Sequence, residues 1–204
     1  MSSPAKPCGG PTIEQLEREL DRVRSRKRFG KALRNTLVVL TLIAVVTAAV
    51  VFAAPVLRIH GSSMDPTLQE GDLLVALRWM PCENGDIAAF SHGDSVLVKR
   101  IIASAGDVVD IQADGTVLVN GVVLEERYAV EKGGGELDIE LPFQVPPDSW
   151  FVMGDNRSVS VDSRSTAVGC MSREQLIGRV VLRVWPLNRV ALLCDGRDVG
   201  EENE

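Results

Sequence analysis

One short segment of the sequence has the residue types needed for nucleophilic catalysis. Residues 61–63 read Gly-Ser-Ser, and a proline follows at position 66. A turn of this kind can hold a hydroxyl beside backbone N–H groups that lack partners, which is the minimum for a nucleophile with an oxyanion hole. An ordinary serine-rich turn has the same composition, so the segment needs a base nearby before it indicates an enzyme.

Two kinds of base are available to such a serine. The chain has two histidines, His60 and His92, and neither has a convincing aspartate partner for a Ser-His-Asp triad. The alternative is Lys99, which alternates with Leu97 and Ile101 and would share an apolar strand face with them. Burial there would favour the neutral amine, although an edge-strand lysine that reaches solvent fits the same pattern.

The elements that must position these residues begin with an apolar helix. Residues 35–57 contain no charged side chain, and as a helix their 23 residues would span roughly 34 Å, enough to cross a bilayer. A buried soluble helix would show a polar face, and this segment has none. The core of a cleaved signal peptide is usually shorter. We therefore expect an uncleaved, single-pass membrane anchor.

Charge divides the chain on either side of this anchor. Residues 1–34 carry nine Lys/Arg and four Asp/Glu, whereas residues 58–204 carry thirteen and twenty-four. The positive-inside rule then predicts that residues 1–34 are cytoplasmic and that the rest is extracytoplasmic. The apolar stripe Ile13, Leu16, Leu20 and Val23 predicts a short amphipathic helix in the cytoplasmic segment. The bilayer is thus an expected partner. The net charge of −6 and the 4% aromatic content argue against nucleic acid as a partner.

The exported part, residues 58–194, has the pattern of a β domain. Residues 108–112, 116–119 and 122–124 form three short apolar runs separated by Asp114-Gly115 and Asn120-Gly121, which predicts a meander within an insertion at about 106–150. Residues 131–148 are predicted as a loop, and 195–204 as a polar tail. Further strands are expected at residues 73–77, 87–90, 96–98, 150–153 and 180–184. One short helix is expected after Ser172, ending at Gly178.

Cysteine and histidine give little evidence of other chemistry. Cys82, Cys170 and Cys194 allow one disulfide or none. No spaced Cys/His cluster is present, so we expect no metal and no cofactor.

Five blocks, in order along the chain, resemble the bacterial type I signal peptidases. Ser-Met-x-Pro-Thr-Leu at 63–68 is similar to the nucleophile motif of that family. Residues 84–90, 98–107 and 153–164 resemble its Gly-Asp-Ile strand, its lysine block and its Gly-Asp-Asn-Arg block. Residues 177–186 are similar to its closing strand. The resemblance covers about residues 34–187 and implies a mostly β fold: a single N-terminal transmembrane helix followed by a Ser-Lys protease domain.

The resemblance also implies roles for particular residues. Ser63 would be the nucleophile, Lys99 the general base, and Ser160 a hydroxyl that orients the lysine. Some relatives have a hydroxyl two residues before the nucleophile, where this chain has Gly61, so that a side-chain oxyanion donor would have to be Ser62. The remaining implied sites are shallow substrate pockets at Ile59 and Val98 and structural ion pairs between Asp155 and Arg100 and between Asp162 and Arg164.

The function that the resemblance implies is removal of signal peptides from exported preproteins. The enzyme would be a membrane-bound serine endopeptidase of the cell membrane that cleaves after an Ala-x-Ala-like site. Two alternatives stay open at this point: a dedicated processing peptidase for a pilus or conjugation substrate, and a non-catalytic, membrane-anchored binding module.

Overall fold

The computed structural model describes residues 13–133 and 135–193 of the chain. A single helix, α1, runs over Ile13–Ala53, with Pro55 just beyond its end. Its part from Leu33 to Ala53 is long and apolar enough to cross a membrane. The predicted N-terminal apolar helix is therefore confirmed, and the structure adds two details. The helix is continuous with the expected cytoplasmic helix, and it ends four residues before position 57.

The rest of the described chain is built from β-strands. In chain order these are β1 Val56–Arg58, β2 Leu73–Leu77, β3 Ile87–His92, β4 Ser95–Ser104, β5 Val108–Ile111, β6 Val117–Val119, β7 Val122–Val123, β8 Phe143–Gln144, β9 Ser149–Met153, β10 Met171–Ser172, β11 Leu176–Trp185 and β12 Ala191–Leu192. Short 3₁₀ helices cover Arg173–Gln175 and Leu187–Arg189. The predicted mostly β fold is confirmed.

The strands form two antiparallel sheets. The larger has the order β1-β2-β11-β3-β4-β9-β10, with β12 also paired to β11, and the smaller has the order β7-β6-β5-β8. The smaller sheet contains the predicted meander, in which Asn120 and Gly121 both have positive φ, as the tight turn between β6 and β7 requires. Strand β8 lies in the segment predicted as a loop and pairs with β5.

The helix predicted after Ser172 is the other correction. It is a single 3₁₀ turn, and Gly178 is not its end but part of β11. A side chain at Gly178 would place its Cβ 2.8 Å from the carbonyl oxygen of Leu77 in the neighbouring strand. The glycine is therefore explained by the close approach of two strands rather than by the end of a helix.

Apolar clusters fix the strands that carry the site. One cluster packs the segment after β1 against the large sheet, through Ile59, Met64, Leu68, Leu74, Ala76, Ile87, Ala89, Val180 and Leu193. A second joins the two sheets, through Ile102, Ala103, Phe151 and Met153 on one side and Val109, Val117 and Val145 on the other. Together these clusters fix the neighbours of both Ser63 and Lys99.

Candidate active site

Ser63 lies in the loop between β1 and β2, half-buried. The loop is closed at its base by main-chain hydrogen bonds from Ile59 N–H to Asp72 O (2.9 Å) and from Gly71 N–H to Ile59 O (3.0 Å). Buried Met64 and Leu68 hold it against the sheet. Within the part of the chain that the structure describes, the Ser63 N–H donates to no protein acceptor. An unpaired N–H beside a serine hydroxyl is the donor that an oxyanion needs.

The two residues before Ser63 are more exposed than Ser63 itself. Gly61 has φ +85°, in the left-handed region that favours glycine, and Ser62 is exposed. Both Ser63 and Met64 line the cleft beside the loop, whereas Ser62 is not among the described residues that do so.

Lys99 lies in β4, opposite Ala88 of β3, with 3% of its surface exposed. Its Nζ donates to Ser160 Oγ at 2.9 Å. Desolvation by burial lowers the pKa of Lys99, and the Arg164 charge lowers it further, while the Asp162 and Asp155 charges act in the opposite direction. The lowered pKa increases the fraction of neutral amine, which is the form that can accept a proton.

Ser63 and Lys99 line the same cleft, of about 470 Å³. Two runs of chain form most of its walls, residues 56–60 and 95–99, which include Ile59, His60 and Val98. Within the described residues no hydrogen bond joins Ser63 to Lys99 directly. Such bonds are often long in an enzyme without substrate, so the common cleft is the relevant geometry. His92 is not among the residues that line it.

Residues 154–164, here called the 154–164 loop, follow β9 and bring Ser160 to the lysine. Asp155 accepts from Arg100 Nε at 2.9 Å and from Nη2 at 2.7 Å, and both side chains are buried. Asp162 accepts from Arg164 Nε at 2.8 Å and from the Gly154 N–H at 2.9 Å. The loop is thus held by two buried, multiply hydrogen-bonded ion pairs.

Burial opposes ionisation of Asp162, but its hydrogen bonds and the Arg164 charge prevail and lower the pKa of this carboxyl. Asp162 therefore stays a carboxylate beside Lys99. Its charge partly offsets the desolvation of the amine, so the lysine pKa reflects a balance between the two.

The 154–164 loop also touches the segment that carries Ser63. The Asn156 N–H donates to the Ser63 carbonyl at 3.1 Å. A Cβ at Gly154 would lie 2.3 Å from Ser160 Oγ and 2.4 Å from the Ser63 carbonyl oxygen. No side chain fits there, and this explains why the residue is glycine. The contact brings the hydroxyl that binds Lys99 and the backbone of Ser63 to one point.

Four further residues, to which the sequence analysis assigned no role, belong to this arrangement: Thr67, Glu126, Tyr128 and Arg157. The Thr67 hydroxyl donates to Asp155 Oδ2 at 2.5 Å. Glu126 forms a buried ion pair with Arg157, and the Tyr128 ring lies 3.9 Å from the Arg100 Cζ. Their partners are 28 to 88 residues away in the chain, and the local sequence around them has no signal of these contacts.

The described cysteines do not compete with Ser63 as nucleophiles. Cys82 and Cys170 are half-buried free thiols, and burial is the main cause that raises the pKa of each to about 11. A thiol in such a state is mostly protonated and unreactive at neutral pH. Cys194 and the polar tail lie outside the described residues.

Similarity to known proteins covers this whole arrangement. The family model described as signal peptidase, peptidase S26, matches residues 32–185. A probable signal peptidase I-2 of Synechocystis sp. is 38% identical over 71% of this chain and 69% of its own length. Signal peptidase I of Bacillus licheniformis is 32% identical over 73% and 87%. Thylakoidal processing peptidase 1 of Arabidopsis thaliana is 33% identical over 72% and 47%. The chain, with its apolar helix, its β domain and its serine and lysine in one cleft, belongs to the signal peptidase family of serine endopeptidases, peptidase S26.

Proposed function

We propose that the signal peptidase activity of this family is performed here by Ser63 as nucleophile and Lys99 as general base. The observation that carries the proposal is the buried Lys99 amine, hydrogen-bonded to Ser160 at 2.9 Å and facing the cleft that contains Ser63. Since burial lowers the pKa of Lys99, no histidine is needed as the base.

The first half of the reaction forms an acyl-enzyme. Ser63 Oγ bonds to the scissile carbonyl carbon while its proton moves to Lys99 Nζ. The carbonyl oxygen takes up the negative charge and is stabilised by the Ser63 N–H. When the C–N bond breaks, Lys99 gives its proton to the amine of the mature protein, which leaves, and the signal peptide stays esterified to Ser63.

In the second half, water takes the place of the leaving amine. Lys99 accepts a proton from the water as its oxygen attacks the ester carbonyl, and it returns that proton to Ser63 Oγ as the ester bond breaks. Ser160 keeps the amine directed toward the cleft in both halves through its hydrogen bond. The signal peptide is released with a free carboxylate.

We propose that the substrate binds along the open edges of the large sheet. Strand β1 is at one edge, and β9 pairs with β4 only from Arg100 onward, so residues 95–99 have no strand neighbour on that side among the residues that the structure describes. An extended peptide between these segments would gain main-chain hydrogen bonds. Ile59 and Val98 line this space, and we propose that they form the shallow pockets that select small side chains, as in an Ala-x-Ala site.

We propose that the helix is anchored with residues 1–34 in the cytoplasm and the β domain outside. The support is the charge difference, a net of +5 before the helix and −11 after it. Substrate cleavage sites emerge at the outer surface of the membrane, where an anchored enzyme has a high effective concentration. Exported preproteins are the partners that this placement serves.

The test is cleavage of a precursor with an Ala-x-Ala site by the detergent-solubilised full chain, followed by sequencing of the new N-terminus. Ser63→Ala should abolish the cut while the protein stays folded, because an isolated hydroxyl contributes little packing. Ser62→Ala, the neighbouring control, should lose far less. An inactive Ser62→Ala beside an active Ser63→Ala would show that the nucleophile has been assigned to the wrong residue.

A further inference from the structure

Residues 125–133, here called the strap, follow β7 and lie against the 154–164 loop. The Val130 N–H donates to the Asp155 carbonyl at 2.9 Å, and the Val130 carbonyl accepts from the Arg157 N–H at 3.2 Å. The strap therefore pairs with the main chain on both sides of Asn156, like one step of a parallel sheet. It comes from the insertion that contains the small sheet, outside the cleft.

Glu126 connects the strap to this loop by charge. Its side chain and that of Arg157 are both fully buried, and two hydrogen bonds join them, one of 3.3 Å from Nη1 to Oε2. Arg157 Nε also donates to the Gly154 carbonyl at 2.9 Å. A buried guanidinium needs such a partner, because its desolvation is otherwise uncompensated. Glu126 is the acidic group that provides this compensation.

Tyr128 connects the strap to the other ion pair. Its ring lies 3.9 Å from Cζ of Arg100, within the range of a cation–π contact, and Arg100 is the partner of Asp155. The pKa of Tyr128 is raised, mainly because the side chain is buried, so the side chain stays a neutral phenol. Its face adds electrostatic attraction to the guanidinium that holds Asp155.

We propose that the strap positions the general base, with Glu126 and Tyr128 as positioning residues that act through Arg157 and Arg100 on the loop beside Lys99. The path is short. The Arg157 carbonyl accepts from Arg164 Nη2 at 2.8 Å, and the same Nη2 donates to the Ser160 carbonyl at 3.2 Å. The hydroxyl of Ser160 then binds Lys99. This inference rests on the proposed role of Lys99 and extends it.

Loosening the strap should change the pKa of Lys99 in a predictable direction. The charged groups that act on Lys99 are Asp162, Arg164 and Asp155, all on the 154–164 loop. If the loop moves outward, water reaches the amine, and the loss of desolvation, the largest cause of the lowered pKa, favours the protonated lysine. The three charges leave together, and the departure of Arg164, which raises the lysine pKa, is opposed by that of Asp162 and Asp155, so the loss of desolvation sets the direction. The acid limb of the pH–rate profile should therefore move to higher pH, which a loss of stability alone would not cause.

The experiment compares Glu126→Gln with Glu125→Gln in the full chain in detergent. Glu125 is the matched control because it is exposed and, within the described part of the chain, forms an ion pair with exposed Arg127 alone. For Glu126→Gln we expect kcat per folded molecule to fall about 10–100-fold with KM little changed. Its acid limb should rise by roughly half to one pH unit. Glu125→Gln should match the unsubstituted protein in all three quantities.

A second pair of variants, at Tyr128, tests the proposal if Glu126→Gln does not fold. Tyr128→Leu removes the ring face from Arg100, whereas Tyr128→Phe keeps it, so only the leucine variant should shift the limb and lower kcat. Unshifted limbs and unchanged kcat in the folded variants would overturn the proposal. Lys99→Arg in the same assay separates the proposed role of the strap from the proposed role of Lys99 as general base. If Lys99→Arg is inactive while the strap variants behave normally, only the role of the strap is refuted.

Discussion

Gly154 is the point where the segment that carries Ser63 and the loop that carries Ser160 meet, and its replacement by alanine should damage both activity and stability. The new Cβ would lie 2.3 Å from Ser160 Oγ and 2.4 Å from the Ser63 carbonyl oxygen, whereas ordinary contact begins at 3.4 Å. One or both groups must therefore move by about 1 Å, since a packed interior has no free space for them.

The size of the effect follows from that displacement. A 1 Å error at reacting groups costs about 100-fold in rate, so we expect kcat to fall by about that factor. Overpacking of this kind costs about 2 kcal/mol in the free energy of unfolding, which corresponds to a decrease in Tm of roughly 4–8 °C. Gly154 does not have positive φ, so the prediction depends on packing alone.

The assay measures kcat on a signal-peptide-bearing substrate, and Tm, for Gly154→Ala and for the control Gly133→Ala. At Gly133 the added Cβ meets nothing closer than the Asp114 carbonyl oxygen at 3.4 Å, an ordinary contact. The control should therefore keep both kcat and Tm. If the two variants behave alike, the close contact among Ser63, Gly154 and Ser160 does not position the catalytic groups, and the reasoning fails.

Three other perturbations test separate parts of the account. Ser160→Ala removes one hydrogen bond to Lys99 and should lower kcat about tenfold without abolishing cleavage, as steady-state kinetics would show. Lys99→Met should be inactive yet more stable, because the folded state holds a lysine whose pKa is lowered; its gain in Tm should be largest at low pH and fade toward the ordinary lysine pKa of 10.5. In intact cells, an impermeant thiol reagent should label a cysteine introduced at Asp94 and not one introduced at Ser2.

Local patterns in the sequence were sufficient to predict the positions of most strands. The run at residues 73–77 and the Asn120-Gly121 turn carry their signals within a few residues, and the structure has β2 and the β6–β7 hairpin at those places. Alternation of apolar residues and turn chemistry are short-range effects, which explains this success.

The errors came from elements whose ends depend on distant contacts. Gly178 was interpreted as the end of a helix, but its small size serves the approach to Leu77 in another strand. By contrast, the continuity of the helix through the basic residues before the anchor is a local effect, because Lys and Arg are good helix formers.

The site was predictable only in part, for the same reason. The positions of Ser63, Lys99 and Ser160 follow from motifs along the chain, and the structure places them around one cleft and one loop. Glu126 and Tyr128 have no motif that points to them. Their proposed role depends on the contacts of the strap with Arg157 and Arg100, which only the three-dimensional structure shows.

The pH dependence of kcat/KM for the unsubstituted protein, measured beside Lys99→Arg, tests the central claim most directly. If buried Lys99 is the base, kcat/KM should rise with pH through a limb below the ordinary lysine pKa of 10.5, because burial lowers the pKa of this amine. Lys99→Arg should be inactive, since a guanidinium keeps its proton at every pH in the assay. Substantial cleavage by Lys99→Arg would contradict the account and return His60, which lines the same cleft, as the candidate base.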